Sequence, residues 1–187
     1  MIDLKNAKKI GSGKTRNCYQ HPNESDKCIK ILKEHMVDDI NHREYKYYRH
    51  LNKKRITFRH IPKCYGFVKT TLGQGLVFDL IAGSNTVVLE DYLRREDSDK
   101  NSTEELLSEL EQYLFENAIS FIDSGLRNLV LSNNKLFIID GLVPPKKTIF
   151  PIYGYIAPLT RWRTRKSLKA ARVQINRIFQ AKNLPSP

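Results

Sequence analysis

Cysteine is scarce in this chain of 187 residues, and its spacing argues against two kinds of site. The three cysteines, Cys18, Cys28 and Cys64, are odd in number and show no C-x-x-C spacing. Disulfide frameworks and structural zinc sites usually show paired cysteines, so neither is expected here. Reduced thiols in a cytosolic protein are the simpler interpretation.

Long apolar runs are also missing. No run approaches the roughly 20 residues that a membrane-spanning helix needs, and residues 1–5 lack the apolar stretch of a signal peptide. The chain is 40% hydrophobic and 28% charged, which is typical of a folded, soluble protein. We therefore predict a cytoplasmic protein without a transmembrane segment.

Acidic residues are missing from the last quarter of the chain. Residues 141–187 contain no Asp or Glu but ten Lys or Arg, which supply most of the net charge of +12. The first 140 residues are therefore close to neutral, and the polycationic character belongs to the C-terminal region.

The order of apolar and turn-forming segments predicts an α+β protein. Predicted strands cover residues 9–10, 18–19, 27–32, 65–68 and 74–81. Predicted helices cover residues 38–53, 89–95, 104–117 and 161–182, with Ser102 or Thr103 capping the third. Residues 143–160 are rich in proline and aromatic residues and are expected to be irregular.

A late hairpin is predicted between residues 128–131 and 135–139. Asn133 and Asn134 lie between these segments, and Asn tolerates the left-handed conformation that tight hairpin turns require.

The glycine-rich segment 11–15, Gly-Ser-Gly-Lys-Thr, suggests a phosphate-binding loop of one of two types. A Walker loop needs a glycine where this chain has Lys8, and it must open into a helix, whereas residues 16–22 have the pattern of a strand and turn. We therefore favour a strand–loop–strand hairpin in which Gly11, Ser12 and Gly13 approach a nucleotide. Arg16 occupies the position of the third glycine in that pattern, and a simple hairpin turn is the alternative.

Lys30 and Glu44 form a predicted ion pair. Lys30 lies inside the apolar strand 27–32, and Glu44 lies on the apolar stripe of the helix that follows. A carboxylate on an apolar face is costly unless it is paired, so it predicts a buried cation nearby. The alternatives are a lysine on a solvated strand face and a helix rotated so that Glu44 meets water.

Asp123, Asn128 and Asp140 form the second predicted group. Asp123 and Asn128 lie five positions apart in a loop, and the hairpin that follows leads to Asp140. Oxygen ligands such as Asn128 and Asp140 suit Mg²⁺, and Asp123 could take the proton of an acceptor hydroxyl. Asp and Asn are also common loop formers, so each residue alone has a structural alternative.

Taken together, the sequence resembles the protein-kinase-like superfamily and, more closely, the bacterial YrbL family of PhoP regulatory network proteins. The resemblance covers roughly residues 8–141 and rests on the segments 10–22, 27–31, 43–51, 61–66 and 128–131. It implies a five-stranded antiparallel N-lobe at residues 1–83 and a reduced, mainly helical C-lobe at residues 84–187.

The resemblance also implies ATP and Mg²⁺ as cofactors. It makes Lys30 and Glu44 the strand–helix pair, Asp123 the catalytic base, and Asn128 and Asp140 the metal ligands. Phe78 would guard the adenine pocket, and residues 79–81, with Asp79 and Ile81 contacting the base, would form the hinge.

Three departures bear on the substrate. Phe121 stands where kinases usually have His, Asp140 is followed by Gly141 and Leu142 without the usual Phe, and no A-P-E sequence follows. A small molecule or glycolipid hydroxyl is therefore a better expected acceptor than a protein.

The last helix has an apolar face, with Leu168, Ala171, Ile175, Ile178 and Phe179, and a basic remainder. It either packs on the core with a solvated outer side or docks on an anionic surface, such as a glycolipid at the inner membrane or a nucleic acid. Three functions thus remain: an active kinase, which we favour, a nucleotide-binding regulatory pseudokinase, and a polyanion-binding module.

Overall fold

The computed structural model describes residues 1–34, 36, 40–143 and 154–182. The chain divides into two compact units. The first unit comprises Met1–Phe58 and Pro62–Ala82, and the second comprises Arg59–Ile61 and Gly83–Pro187.

The first unit contains a five-stranded antiparallel sheet, as the sequence predicts. Its strands, in the order β1-β2-β3-β5-β4, are β1 (Lys9–Ser12), β2 (Arg16–Gln20), β3 (Lys27–Leu32), β4 (Cys64–Thr70) and β5 (Gly73–Asp79). The predicted strand 74–81 therefore ends two residues early, and its neighbour extends further at both ends. Strand existence follows from local patterning, whereas strand ends depend on which neighbours pair.

The two faces of this sheet are covered by different parts of the chain. Ile29 and Ile31 pack with Leu4 and Val77 on one side. Because side chains alternate along a strand, Lys30 points to the other side, where helix α1 (Ile40–Lys53) lies. Residues 38 and 39, where this helix was predicted to begin, lie outside the described residues.

The second unit begins with a short strand that the sequence does not predict. Strand β6 (Val87–Val88) pairs with the late hairpin, so that a three-stranded sheet replaces the predicted two-stranded one. Helix α2 (Leu89–Leu93) follows, and it ends two residues before the predicted position.

Helix α3 (Lys100–Glu116) begins four residues earlier than predicted, and its cap is a different residue. Asp99 caps it by accepting a hydrogen bond from the Ser102 amide at 2.7 Å. Asp is as good a cap as Ser or Thr, and its position sets the start of the helix.

The hairpin has the predicted turn. Strands β7 (Leu129–Ser132) and β8 (Lys135–Ile138) flank Asn133 and Asn134, which have φ values of 49° and 55°. A short 3₁₀ turn, Leu126–Asn128, precedes β7 and includes Asn128, which was expected in the strand.

Helix α4 (Ala157–Lys182) is longer than the predicted helix 161–182. It includes residues 157–160, which were expected to be irregular, and Pro158 is tolerated there because the first turn needs no amide donor. Residues 144–153 of that predicted irregular segment lie outside the described residues. Leu168, Ala171, Ile175 and Phe179 are buried, as a core-packing helix requires.

Within the described ranges, no helix combines the length and apolar character needed to cross a lipid bilayer.

Candidate active site

The glycine-rich segment forms a hairpin, as the sequence predicts, and does not open into a helix. Gly11 lies in β1, and the Gly13 amide donates to the Arg16 carbonyl at 2.8 Å across the turn. Neither glycine has a positive φ, and a Cβ atom at either would meet its nearest neighbour at 3.7 Å. The fold would therefore accept a side chain at both positions, so neither backbone conformation nor packing explains why they are glycines.

Lys30 and Glu44 form a buried ion pair. The Lys30 Nζ atom lies 3.3 Å from Oε1 of Glu44, and the two residues are only 8% and 2% exposed. The ammonium also lies 4.4 Å from the ring centroid of Phe78. The alternatives with either side chain on a solvated face are therefore wrong for this structure.

Arg16 contacts the same carboxylate, which the sequence analysis missed. Its guanidinium pairs with Oε2 of Glu44 and donates to the Asn41 side-chain oxygen at 3.2 Å. The Asn41 amide in turn donates to the Lys30 carbonyl at 3.1 Å. The sequence shows an arginine where the glycine-rich pattern has its third glycine, but only the sheet register places that side chain beside Glu44.

Two buried cysteines near this network, Cys28 and Cys64, have raised pKa values. Burial raises the pKa of Cys64 to about 12. The pKa of Cys28 is also raised, first by a hydrogen bond with Cys18 and then by burial. Nucleophilic chemistry needs the thiolate, so Cys28 and Cys64 are packing residues at neutral pH.

The predicted hinge begins at Asp79, the last residue of strand β5, directly after Phe78. Phe78 is fully buried, and its ring meets Tyr48 edge-on at 5.3 Å. The Asp79 carboxylate accepts hydrogen bonds from the Lys63 amide at 2.8 Å and the Tyr65 hydroxyl at 2.7 Å. The Leu80 amide donates to the Asp26 carbonyl at 2.7 Å, so this amide is already used within the unit. A base-contacting role for Asp79 and Ile81 remains a prediction.

In the second unit, the loop of Asp123 and Asn128 is closed by its own hydrogen bonds. The Gly125 amide donates to the Asp123 carboxylate at 3.1 Å. The side-chain amide of Asn128 donates to the Asp123 carbonyl at 3.3 Å, and its backbone amide donates to the Gly125 carbonyl at 2.9 Å. These contacts orient both side chains from one short loop.

Backbone hydrogen bonds hold the Asp140 segment beside this loop. The Gly141 carbonyl accepts from the amides of Ile122 and Asp123, at 2.8 and 3.2 Å, and the Ile139 amide donates to the Asn128 carbonyl at 2.9 Å. Gly141 has a φ of 92°, and a Cβ atom there would lie 2.9 Å from the Asp123 carbonyl oxygen. A glycine is thus required where the two segments meet, and Asp123, Asn128 and Asp140 are brought together.

Helix α4 also supports this loop, through hydrogen bonds to residues 119–122, which directly precede Asp123. The sequence did not predict these contacts. Thr164 accepts from the Phe121 amide and donates to the Ile119 carbonyl, both at 3.0 Å. Ser167 donates to the Ile122 carbonyl at 3.0 Å. In the sequence, these contacts could have been inferred from two small hydroxyl residues that lie one turn apart on the apolar face of the last helix.

Positions 121 and 142, which depart from kinase motifs, carry buried apolar side chains, whereas position 141 carries a glycine. Phe121 is fully buried and Leu142 is 2% exposed. The loop therefore keeps a packed support without the usual His and Phe.

The side chains of Asn128 and Asp140 suit a magnesium ion. The Asn128 amide nitrogen faces the Asp123 carbonyl, so the opposite end of the amide presents its oxygen, and Asp140 supplies a carboxylate. Within the described part of the chain, no group of three or more His, Cys, Asp or Glu residues is arranged to hold a metal ion. Mg²⁺ is commonly held by only one or two protein oxygens plus phosphates and water, so Asn128 and Asp140 fit it.

Comparison with known families and proteins covers most of the chain. The family described as PhoP regulatory network protein YrbL matches residues 2–176, further than the predicted resemblance at both ends. Proteins called YrbL from Escherichia coli K12 and Shigella flexneri are each 35% identical to this chain over 138 residues. The match covers 70% of this chain and 65% of each relative, so the chain spans less than two thirds of the relatives' length.

A solved structure supports the fold independently. The CAK complex from Chaetomium thermophilum, bound to ATP-gamma-S, contains a chain that matches with a TM-score of 0.57 at 17% identity. The match covers 89% of this chain and 61% of that one. The predicted α+β, protein-kinase-like fold is therefore confirmed, while the roles of the site residues stay predictions.

Proposed function

We propose that this chain, which belongs to the YrbL family of PhoP regulatory network proteins, is an ATP- and Mg²⁺-dependent phosphotransferase acting on a hydroxyl group. The family membership and the kinase-like fold make a phosphoryl-transfer site the best-supported use of the two residue groups.

In the first unit, the residues would bind and orient the phosphates of ATP. Lys30 would place its ammonium on the α- and β-phosphates, with Glu44 holding it in that direction. The backbone at Gly11, Ser12 and Gly13 would approach the phosphates closely because two of these residues lack side chains.

In the second unit, Asp123 would accept the proton of the acceptor hydroxyl as its oxygen attacks the γ-phosphorus. The bond from that oxygen to phosphorus forms, the bridging P–O bond to ADP breaks, and ADP leaves. Mg²⁺ bound by Asn128 and Asp140 would neutralise the charge on the phosphates.

The observation that carries the proposal is the buried pair of Lys30 and Glu44. A buried ion pair is a poor source of stability, since replacement by packed apolar residues is often neutral or stabilising. A binding task for the Lys30 ammonium therefore explains the pair better than a contribution to stability does.

A small molecule or glycolipid is the proposed acceptor. The loop of Asp140 ends in Gly141 and the buried Leu142, and α4 begins at Ala157. The short segment between them leaves little chain for the long substrate-binding segment that protein kinases place there.

Turnover of radiolabelled ATP with Mg²⁺ tests the function, either as hydrolysis or as autophosphorylation. We expect activity in the wild type, loss of that activity in Asp140→Ala, and unchanged activity in Asp97→Ala, a matched change at an exposed loop position. Nucleotide binding with zero turnover in all three proteins would leave the regulatory pseudokinase instead. Absence of both binding and turnover would remove nucleotide chemistry altogether.

A second candidate function is binding of an anionic membrane through the outer side of α4. Trp162 and Val173 are 48% and 44% exposed there, next to Lys166 and Lys169. The Lys166 ammonium lies 4.2 Å from the Trp162 ring centroid. Tryptophan beside lysine is typical of membrane interfaces.

The membrane candidate predicts steeply salt-dependent binding to vesicles containing anionic lipid. Charge reversal at Lys166 and Lys169 should abolish this binding. Binding that ignores ionic strength would contradict the membrane candidate, and preferential binding of RNA or DNA over vesicles would replace it with a nucleic-acid partner.

A further inference from the structure

Arg16 stands where the resemblance expects the third glycine of the phosphate-binding hairpin, yet its backbone does not need glycine. Among the described residues, the non-glycine positions with positive φ are Arg55, Ala118, Asn133 and Asn134. Arg16 therefore has an ordinary strand conformation, and the reason for the residue lies in its side chain.

Arg16 is 5% exposed, and its side chain contacts Asn41 and Glu44. The two oxygens of Glu44 are divided between two cations, with Oε1 near Lys30 and Oε2 bound by Arg16. A carboxylate held at both oxygens has little freedom to rotate, so Arg16 fixes the oxygen that meets Lys30.

The backbone of Arg16 also belongs to the glycine hairpin. Its carbonyl accepts the Gly13 amide at 2.8 Å and closes the turn, while its guanidinium reaches Asn41 and Glu44 on α1. One residue thus joins the predicted phosphate-binding turn to the helix that carries Glu44.

We propose that Arg16 is a positioning residue for nucleotide binding, which acts through Glu44 to set the Lys30 ammonium and which anchors the glycine turn. This inference rests on the proposed function and adds a residue to it. Since the guanidinium is buried against Glu44 and Asn41, it orients other groups and does not itself contact the phosphates.

Acting through Glu44 has a measurable consequence. If Arg16 works by orienting that carboxylate, its removal should matter little once the carboxylate is gone. The effects of Arg16→Ala and Glu44→Gln on nucleotide affinity should therefore be strongly non-additive, whereas a direct phosphate contact would give additive losses.

The experiment measures the Kd of a non-hydrolysable ATP analogue with Mg²⁺ by calorimetry. Loss of a charge-assisted contact that positions a ligand group is expected to weaken binding by about tenfold or more in Arg16→Ala. The double variant with Glu44→Gln should bind no more weakly than Glu44→Gln alone. Arg49→Ala, an exposed arginine on α1, is the matched control and should bind like the wild type.

Two further substitutions of Arg16 separate the effect of its positive charge from the effect of its backbone conformation on nucleotide affinity. Arg16→Lys keeps a cation and should recover part of the lost affinity. Arg16→Gly restores the glycine of the usual motif but removes the guanidinium, so it should bind as weakly as Arg16→Ala. A glycine variant that binds as tightly as the wild type, or additive losses in the double variant, would overturn the inference.

Thermal unfolding of the same variants gives a readout that does not depend on nucleotide. Arg16→Ala and Glu44→Gln each break a buried ion pair, so each should lower the Tm by on the order of 10 °C. The loss of Tm in the double variant should be smaller than the sum of the two single losses. If the wild type binds no nucleotide, the proposed function fails, but non-additive unfolding would still support Arg16 as the residue that holds Glu44. Additive unfolding would overturn that role too.

Discussion

The two units hold their candidate site residues by different means. In the first unit, side chains hold side chains: Glu44 is fixed by Arg16 and Lys30, and all three are nearly inaccessible to solvent. In the second unit, main-chain hydrogen bonds join the Asp123 and Gly141 segments, and the side chains of Asp123 and Asn128 bond to backbone groups.

This difference predicts that substitutions in the first network lower stability, whereas substitutions in the second group lower activity. A buried charge that loses its partner costs several kcal/mol, so the first network should be sensitive in folding. Asp123 is exposed, and its carboxylate accepts one hydrogen bond, from the Gly125 amide. The second group should therefore tolerate substitution in folding while losing function.

The largest expected effect is on turnover, from Asp123→Asn. Asn keeps the oxygen that accepts the Gly125 amide but cannot take a proton, so the turnover rate should fall by about 10² to 10⁴. Single-turnover phosphoryl transfer measures this, with Asp97→Asn as the control. A large loss of stability in Asp123→Asn would break the proposed distinction between the units.

The next effect is on folding, from Glu44→Ala. This change leaves Arg16 and Lys30 buried without their shared carboxylate, so the free energy of unfolding should fall by about 3 to 5 kcal/mol. Urea unfolding measures the change, and Glu105→Ala on the exposed side of α3 serves as the comparison. Equal stability in the two variants would argue that the network contributes nothing to the fold.

Gly141→Ala tests the backbone support of the second unit. Its φ of 92° and the 2.9 Å contact with the Asp123 carbonyl oxygen predict a loss of about 1 to 3 kcal/mol in stability. Activity should fall with it, because the Asp123 loop must move. An alanine variant with wild-type stability would show that the two segments are not tightly joined.

The smallest expected effect comes from Gly13→Ala in the first unit. The nearest atom to a Cβ there is 3.7 Å away and φ is not positive, so unfolding should be unchanged within about 0.5 kcal/mol. Affinity for the ATP analogue should nevertheless fall by about tenfold, as the added methyl keeps the phosphates away from the backbone. Unchanged affinity would favour the simple hairpin turn.

Sequence patterns predicted most elements of the fold, but not all of their ends. The strand alternation around Lys30 and the helical stripe around Glu44 are local periodicities that tertiary packing preserved. The short strand Val87–Val88 and the early starts of α3 and α4 escaped prediction, because they depend on a pairing partner, an Asp99 cap and a proline at a helix start.

The candidate site divides in the same way. Spacing and resemblance selected five candidate residues, whose roles stay predictions: Lys30, Glu44, Asp123, Asn128 and Asp140. The predicted family is confirmed by the family match over residues 2–176. The parts that only the folded chain shows are contacts between distant segments, such as Thr164 with residues 119–121 and Arg16 with Glu44.

The sequence by itself determined which residue types stand in which order, and hence the class of fold and the chemistry to be expected. Only the tertiary structure decided which partner each charge has and where a glycine is indispensable. The physical reason is that periodicity acts over a few residues, whereas the pairing of Glu44 with Arg16 and the close approach of Gly141 to Asp123 arise when strand register and loop hydrogen bonds bring distant segments together.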